Sequence, residues 1–308
     1  MNLKNILLLI LGVSVSQLVC AQDIALGTWR THLSYTEVTE VVLGDSRVYA
    51  SVTSGLFYFD QDDNSVNRLT ELDGLQGGGI SALAYDESRD VLLVGYSSGN
   101  MDLITDEEII NLDLISDSQV IGSKKINDIL VTGAFAYLAT DYGVLKFAVE
   151  AAEVRETYRE IGDNGTQIAV RSLAIYQDSL FIASSEGIRA GSLSSQMNLA
   201  DWRFWLSKPL PSASQDVTYI TLAADRLFAA LDGEGIFVYE NAWLATSATP
   251  ASSYSSLNGS PQALVTVSSD GVQALSPNDL SLADEPVSDL LVSPIDAVLD
   301  SQDQWWIG

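Results

Sequence analysis

Four oxygen-bearing side chains, Asp60, Asp62, Asn64 and Glu71, occupy the first, third, fifth and twelfth positions of the spacing that wraps a calcium ion in an EF-hand loop. The sixth position, where that loop needs glycine for its sharp turn, is Ser65. The alternation over Ser65 to Leu69 predicts a strand. An extended chain carries Glu71 away from Asp60, so the segment reads as an acidic hairpin turn.

His32 is the one histidine, so any Ser-His-Asp triad has to use it. It lies in Gly27-Thr28-Trp29-Arg30-Thr31-His32-Leu33-Ser34-Tyr35 with no nucleophile elbow or neighbouring acid, which favours a packing or capping role. A glycosidase needs two carboxylates at the right separation, and 41 acidic residues make any single choice uninformative. The sialidase turn motif is absent; Ser301-Gln302-Asp303-Gln304-Trp305-Trp306 resembles it only at its first positions. Trp202, Phe204 and Trp205 could stack on a sugar ring, but an alternating aromatic run more often forms an outer strand packed on its neighbour. Lys124-Lys125 is the local basic pair, read first as a solvated loop. Phosphate loops and clustered metal ligands are absent. The expected site content is therefore no catalytic residue, no cofactor and no metal, with the ligand-binding residues unassigned.

The elements that would carry any site follow from a repeat. Gly55, Gly99, Gly143 and Gly187 recur 44 residues apart, each after a β-rich run such as Tyr137-Leu138-Ala139-Thr140-Asp141-Tyr142-Gly143-Val144-Leu145. Looser copies end at Gly235 and Gly271. Six copies at this period predict an all-β fold, a β-propeller of four-stranded antiparallel blades. In the first copy the strands are expected at Val38 to Leu43, Arg47 to Val52, Gly55 to Phe59 and Ser65 to Leu69. The repeated glycine supplies the positive φ of the tight turn between the second and third strands. That turn and the crossing to the next blade share one face, and Asp73-Gly74-Leu75-Gln76-Gly77-Gly78-Gly79 is such a crossing, ahead of an inner strand from Ile80 to Asp86. The run from Asp296 to Gly308 opens a seventh copy, so the expectation is a fragment of a longer protein whose ring has seven blades when complete.

Residues 1–21 read as a secretory signal: Lys4, an apolar run from Ile6 to Val13, and cleavage after Val19-Cys20-Ala21. Residues 22–308 are then the propeller domain, and Cys20 leaves with the signal, so the exported chain has no cysteine and must be stabilised by packing. No later apolar stretch is long enough to span a membrane as a helix. The balance of 41 acidic to 15 basic residues gives −26, which disfavours nucleic acid and any bare polyanionic surface.

The signal, the start Gly27-Thr28-Trp29-Arg30-Thr31-His32-Leu33-Ser34-Tyr35, and the run from Tyr85-Asp86 to Gly99-Asn100 followed by Asp102-Leu103-Ile104 resemble the PorZ family of the Bacteroidetes type IX secretion system. The resemblance spans essentially the whole mature chain. It implies an exported, non-catalytic protein at the outer cell surface, associated with the outer membrane, with two propellers and a C-terminal β-sandwich. Its implied partners are the other attachment proteins, including a sortase that does the covalent chemistry, and anionic lipopolysaccharide, to which cargo is linked. No ligand residue carries over. At −26, contact with a phosphorylated glycolipid would need divalent ions, a local basic patch such as Lys124-Lys125, or neutral sugars. Two alternatives remain at this point: the periplasmic sensor propeller of a hybrid two-component regulator, whose repeats use a similar aromatic-Ile-Gly strand as in Trp305-Trp306-Ile307-Gly308, and a secreted carbohydrate-active enzyme.

Overall fold

The computed structural model describes residues 38–52, 55–77, 79–113, 122–194, 196–248, 250–287 and 293–308. The signal segment, Cys20 and His32 lie outside the described residues. Among the described residues, the regular structure is all β apart from three single-turn 3₁₀ helices.

Hydrophobic alternation and turn residues build six four-stranded antiparallel sheets in consecutive order, one per repeat. Blade 1 comprises Val38–Leu43, Arg47–Val52, Gly55–Asp60 and Ser65–Leu69, matching the sequence expectation to within a residue. Blades 2 to 6 begin at the inner strands Ile80–Asp86, Ile126–Thr132, Val170–Tyr176, Tyr219–Ala223 and Tyr254–Gly259. Two strands, Ala297–Leu299 and Trp305–Ile307, start blade 7.

A single blade leaves both faces of its middle strands apolar, and these faces meet those of the neighbours. The clusters gather residues from successive blades around the ring, for example Leu93, Met101, Ile126 and Leu138 between blades 2 and 3. Blade 7 is sandwiched in the same way. Ala297, Trp305 and Ile307 pack on Val265 and Val272 of blade 6, while Val298 and Trp306 pack on Val41, Val48 and Ala50 of blade 1. Trp306 also meets Phe59 with ring centroids 5.4 Å apart. Two strands thus suffice to bring the last repeat against the first.

The repeated glycines behave as the turn argument requires: φ is 89° at Gly99, 128° at Gly143 and 108° at Gly187. Gly143 is doubly constrained, because a side-chain carbon there would overlap the carbonyl oxygen of Tyr158. One local expectation is corrected. Trp202–Phe204 is a 3₁₀ turn rather than part of an outer strand, because Asp201 caps it by accepting the Arg203 N–H, and only Trp205–Ser207 is extended. Trp205 itself is a packing residue, with its indole N–H 2.8 Å from the Leu199 carbonyl.

Gly143→Ala is expected to cost ~2–4 kcal/mol, since backbone must move as well as φ. Gly133→Ala, at φ 55° with open space around it, should cost only about 1 kcal/mol. Urea midpoints of the two variants check this, and equal losses would show that the turn glycines are not held by the neighbouring strand.

Candidate functional site

Inner strands converge on the ring axis, and their first residues surround a cavity of about 500 Å³ at the face that carries the glycine turns and blade crossings. A bulge recurs there. In blades 1, 2, 3, 4 and 6 the register of the inner strand slips by one residue, at Thr39, Ser81, Asn127, Arg171 and Ser255. A bulge takes backbone groups out of the ladder and turns a side chain out of its normal place.

Three of the bulged side chains reach across to the next blade. Ser81 Oγ donates to the Ile126 carbonyl at 2.7 Å, Asn127 Nδ2 to Val170 at 2.9 Å, and Arg171 Nη1 to Val217 at 3.2 Å. Tyr219 donates its hydroxyl to the Ser255 carbonyl. The following position accepts: Asp128 Oδ2 takes the Leu173 N–H at 2.7 Å, Ser172 Oγ the Ile220 N–H at 3.3 Å, and Asp296 Oδ2 the Val41 N–H at 2.7 Å. Asp296 Oδ1 also accepts from Asn258 Nδ2 at 2.7 Å, so one carboxyl joins blades 6, 7 and 1.

Glu40, Asp128 and Asp296 place three carboxyls in this neck. Burial pushes the Glu40 carboxyl well above its usual range, and the nearby Asp296 and Asp128 raise it further. Burial likewise raises Asp128 and Asp296, against the pull of the N–H groups of Leu173 and Val41. The Tyr219 phenol is pushed up to about 12 by burial and then by Asp296. Among the described residues no group of acids or histidines is arranged to hold a metal ion. Hydroxyls, amides and carboxyls that tend to keep their protons make a surface able to exchange hydrogen bonds with a polyhydroxyl ligand. At the rim Lys125 lines the opening, whereas Arg171 is engaged by Asp216 at 2.5 Å.

The residues that drew attention in the sequence fall elsewhere, with one exception. Asp60 is held by Arg47 at 3.2 Å and accepts the Asp62 N–H within its turn, and the strand Ser65–Leu69 separates it from Glu71, which opens a 3₁₀ turn. Phe204 and Trp202 sit on the outer rim of blade 4. Lys125 alone reaches the channel mouth. Glu40, Asp128 and Asp296 were missed, although a signal existed: a polar residue directly ahead of an apolar one near the start of each inner strand, as in Glu40-Val41, Asp128-Ile129, Ser172-Leu173 and Ser256-Leu257.

Residues 48–206, just over half of the chain, match the family described as the N-terminal β-propeller domain of PorZ of the type IX secretion system. The chain belongs to this PorZ propeller family. Among solved structures it is similar to PorZ of Porphyromonas gingivalis, an essential surface component of that organism's type IX secretion system, at 20% identity and a TM-score of 0.76. That likeness covers 91% of this chain and 36% of the P. gingivalis protein, so the chain spans about a third of that relative's length. The extracellular domain assigned to a hybrid two-component system of B. thetaiotaomicron is similar at 15% identity and a TM-score of 0.67, over 91% of this chain and 40% of that one. The computationally designed Ika8 protein is similar at 12% identity and a TM-score of 0.52, over 81% of this chain and 86% of the design. No curated protein matches. The PorZ propeller family thus accounts for the fold and the repeat.

Folded Glu40 keeps its proton to higher pH than the unfolded chain does, so its stabilising contribution is whole below the ordinary carboxylate range and is lost as pH rises through the folded value. Glu40→Gln is therefore expected to unfold at higher urea than the parent near about pH 7.5 and at the same urea near about pH 4. A gain independent of pH would refute the raised Glu40 carboxyl.

Proposed function

We propose that this protein is a non-catalytic component of the type IX secretion system at the outer cell surface, a scaffold that recognises glycan, namely anionic lipopolysaccharide, during cargo attachment. The observation that carries this reading is the family match over residues 48–206. The fold likeness to PorZ of P. gingivalis, a bacterial surface component of that system, is consistent with it. An outer-membrane-associated location, an N-terminal export signal in residues 1–21 and partnership with other attachment proteins, including a sortase, belong to the same proposal.

The charge shapes how glycan would be met. A chain at −26 repels phosphorylated sugars over most of its surface. Contact then falls on neutral sugar rings at the channel mouth, where the side-chain carbonyls of Asn127 and Asn258 offer acceptors and the carboxyl of Glu40 a polar partner, with Lys125 at the rim.

A carbohydrate-active enzyme is the reading favoured by one specific observation, the raised carboxyls of Glu40, Asp128 and Asp296. The blade-to-blade hydrogen bonds explain Asp128 and Asp296 without catalysis, because those oxygens already serve backbone N–H groups. The sensor reading rests on a fold likeness at 15% identity alone.

Deleting the gene should leave type IX cargo unanchored at the cell surface, and the intact gene should restore anchoring. Normal anchoring with altered polysaccharide-dependent transcription would replace the proposal with the sensor reading. Release of reducing sugar from purified surface glycan, abolished by Glu40→Gln, would replace it with the enzyme.

A further inference from the structure

At the far end of the blades from the channel mouth, a cavity of about 260 Å³ opens between the outer parts of blades 4 and 5. Its floor is aromatic. Tyr176, Phe181 and Tyr239 pack edge to face, with centroids 5.4 to 6.3 Å apart. Its rim holds three apolar side chains that remain exposed, Met197 at 44%, Phe204 at 38% and Leu206 at 60%. Isolated exposed apolar residues are ordinary, but three around one hole with an aromatic floor form a patch.

The charge of this patch is opposite to that of the chain. No acidic side chain lines it, although the protein has 41, and two cations do, Arg203 and Lys208. Arg203 is paired with Asp201, but Lys208 has no ion pair among the described residues and holds its ammonium 5.8 Å from the centre of the Tyr239 ring.

A free strand edge runs beside it. Within Trp205–Ser207, Leu206 lies opposite Ala190, and the Lys208 N–H bonds inward to the Ile188 carbonyl at 2.8 Å. Alternation in an antiparallel ladder then turns the N–H and C=O of Ser207 outward, away from blade 4. The same alternation puts Leu206 and Lys208 on the side of the cavity.

We infer that this groove between blades 4 and 5 docks an extended, acidic peptide segment of a protein partner, which adds along the outer edge of Trp205–Ser207 and seats one bulky apolar side chain in the cavity. The main chain of such a segment pairs with Ser207, the apolar side chain covers Tyr239 and Leu206, and flanking carboxylates face Lys208 and Arg203. A sugar is less well served, because the floor of the cavity is aromatic and its rim apolar. An acyl chain would need a longer slot. The inference does not depend on the secretion reading, since it rests on this cavity alone.

The test is fluorescence anisotropy of the full chain with a labelled, end-blocked pentapeptide of sequence Glu-Thr-Phe-Thr-Glu. Comparators are the same peptide with glycine for phenylalanine or lysine for glutamate, an oligogalacturonate, and phosphatidylglycerol vesicles. Saturable binding of the first peptide is expected, weakened at least about tenfold by either peptide change and by Leu206→Asp or Lys208→Glu. Leu206 and Lys208 are surface side chains, and unchanged thermal unfolding of both variants shows that the fold is kept. Equal binding of the lysine peptide, binding indifferent to both variants, or no saturation overturns the proposal. So does binding of the oligogalacturonate or the vesicles in place of the peptide.

Discussion

The ring depends on how the bulged inner strands are satisfied. Each inner strand is an edge of its sheet, so alternate backbone N–H and C=O groups face the axis and not the ladder of their own blade. The preceding blade supplies the missing partners: Asn127 for the Val170 carbonyl, Asp128 for the Leu173 N–H, Asp296 for the Val41 N–H. An unmade hydrogen bond of this kind costs about 1–3 kcal/mol, so the bond fixes which strand must follow which and in what register. The apolar clusters between blades press the sheets together but are indifferent to small slides. Side chains that name one backbone atom are not.

The same bonds decide the chemistry of the channel. A carboxyl that must reach a neighbouring strand is pulled out of water, and its proton becomes harder to remove. Glu40 shows the cumulative effect, since Asp296 and Asp128 share the neck with it. The pattern that looks like an acid–base constellation is therefore, for Asp128 and Asp296, first a consequence of assembly. What it leaves at the mouth is a polar surface with two cations, Lys125 and the Asp216-paired Arg171, in a protein of strongly negative charge. The outer rim is the complement, apolar and cationic at Leu206, Phe204 and Lys208. Two faces of one ring thus present different chemistry.

Much of the architecture was legible in the chain. The 44-residue period, the turn glycines and the four strands of blade 1 follow from local signals, and the structure reproduces them. The aromatic run at Trp202 to Trp205 was misread as strand because alternation and a capped 3₁₀ turn look alike over four residues, and only the Asp201 bond to Arg203 separates them. The channel was legible only in part. Lys125 was visible as a basic pair, while Glu40, Asp128 and Asp296 were lost among 41 acids. Their common register shows only when the copies are aligned on the inner strand rather than on the turn glycine.

By itself, the sequence determined the repeat, the blade and the hand-off from one blade to the next, because these rest on contacts within about 44 residues of chain. It also determined the charge and hence the partners that are disfavoured. The tertiary structure alone decided which side chains meet at the axis. Val41 and Asp296 lie 255 residues apart, and no local preference marks one as the partner of the other. That pairing exists because ring geometry brings the first inner strand beside the last, where a buried N–H and a buried carboxyl have only each other to satisfy them.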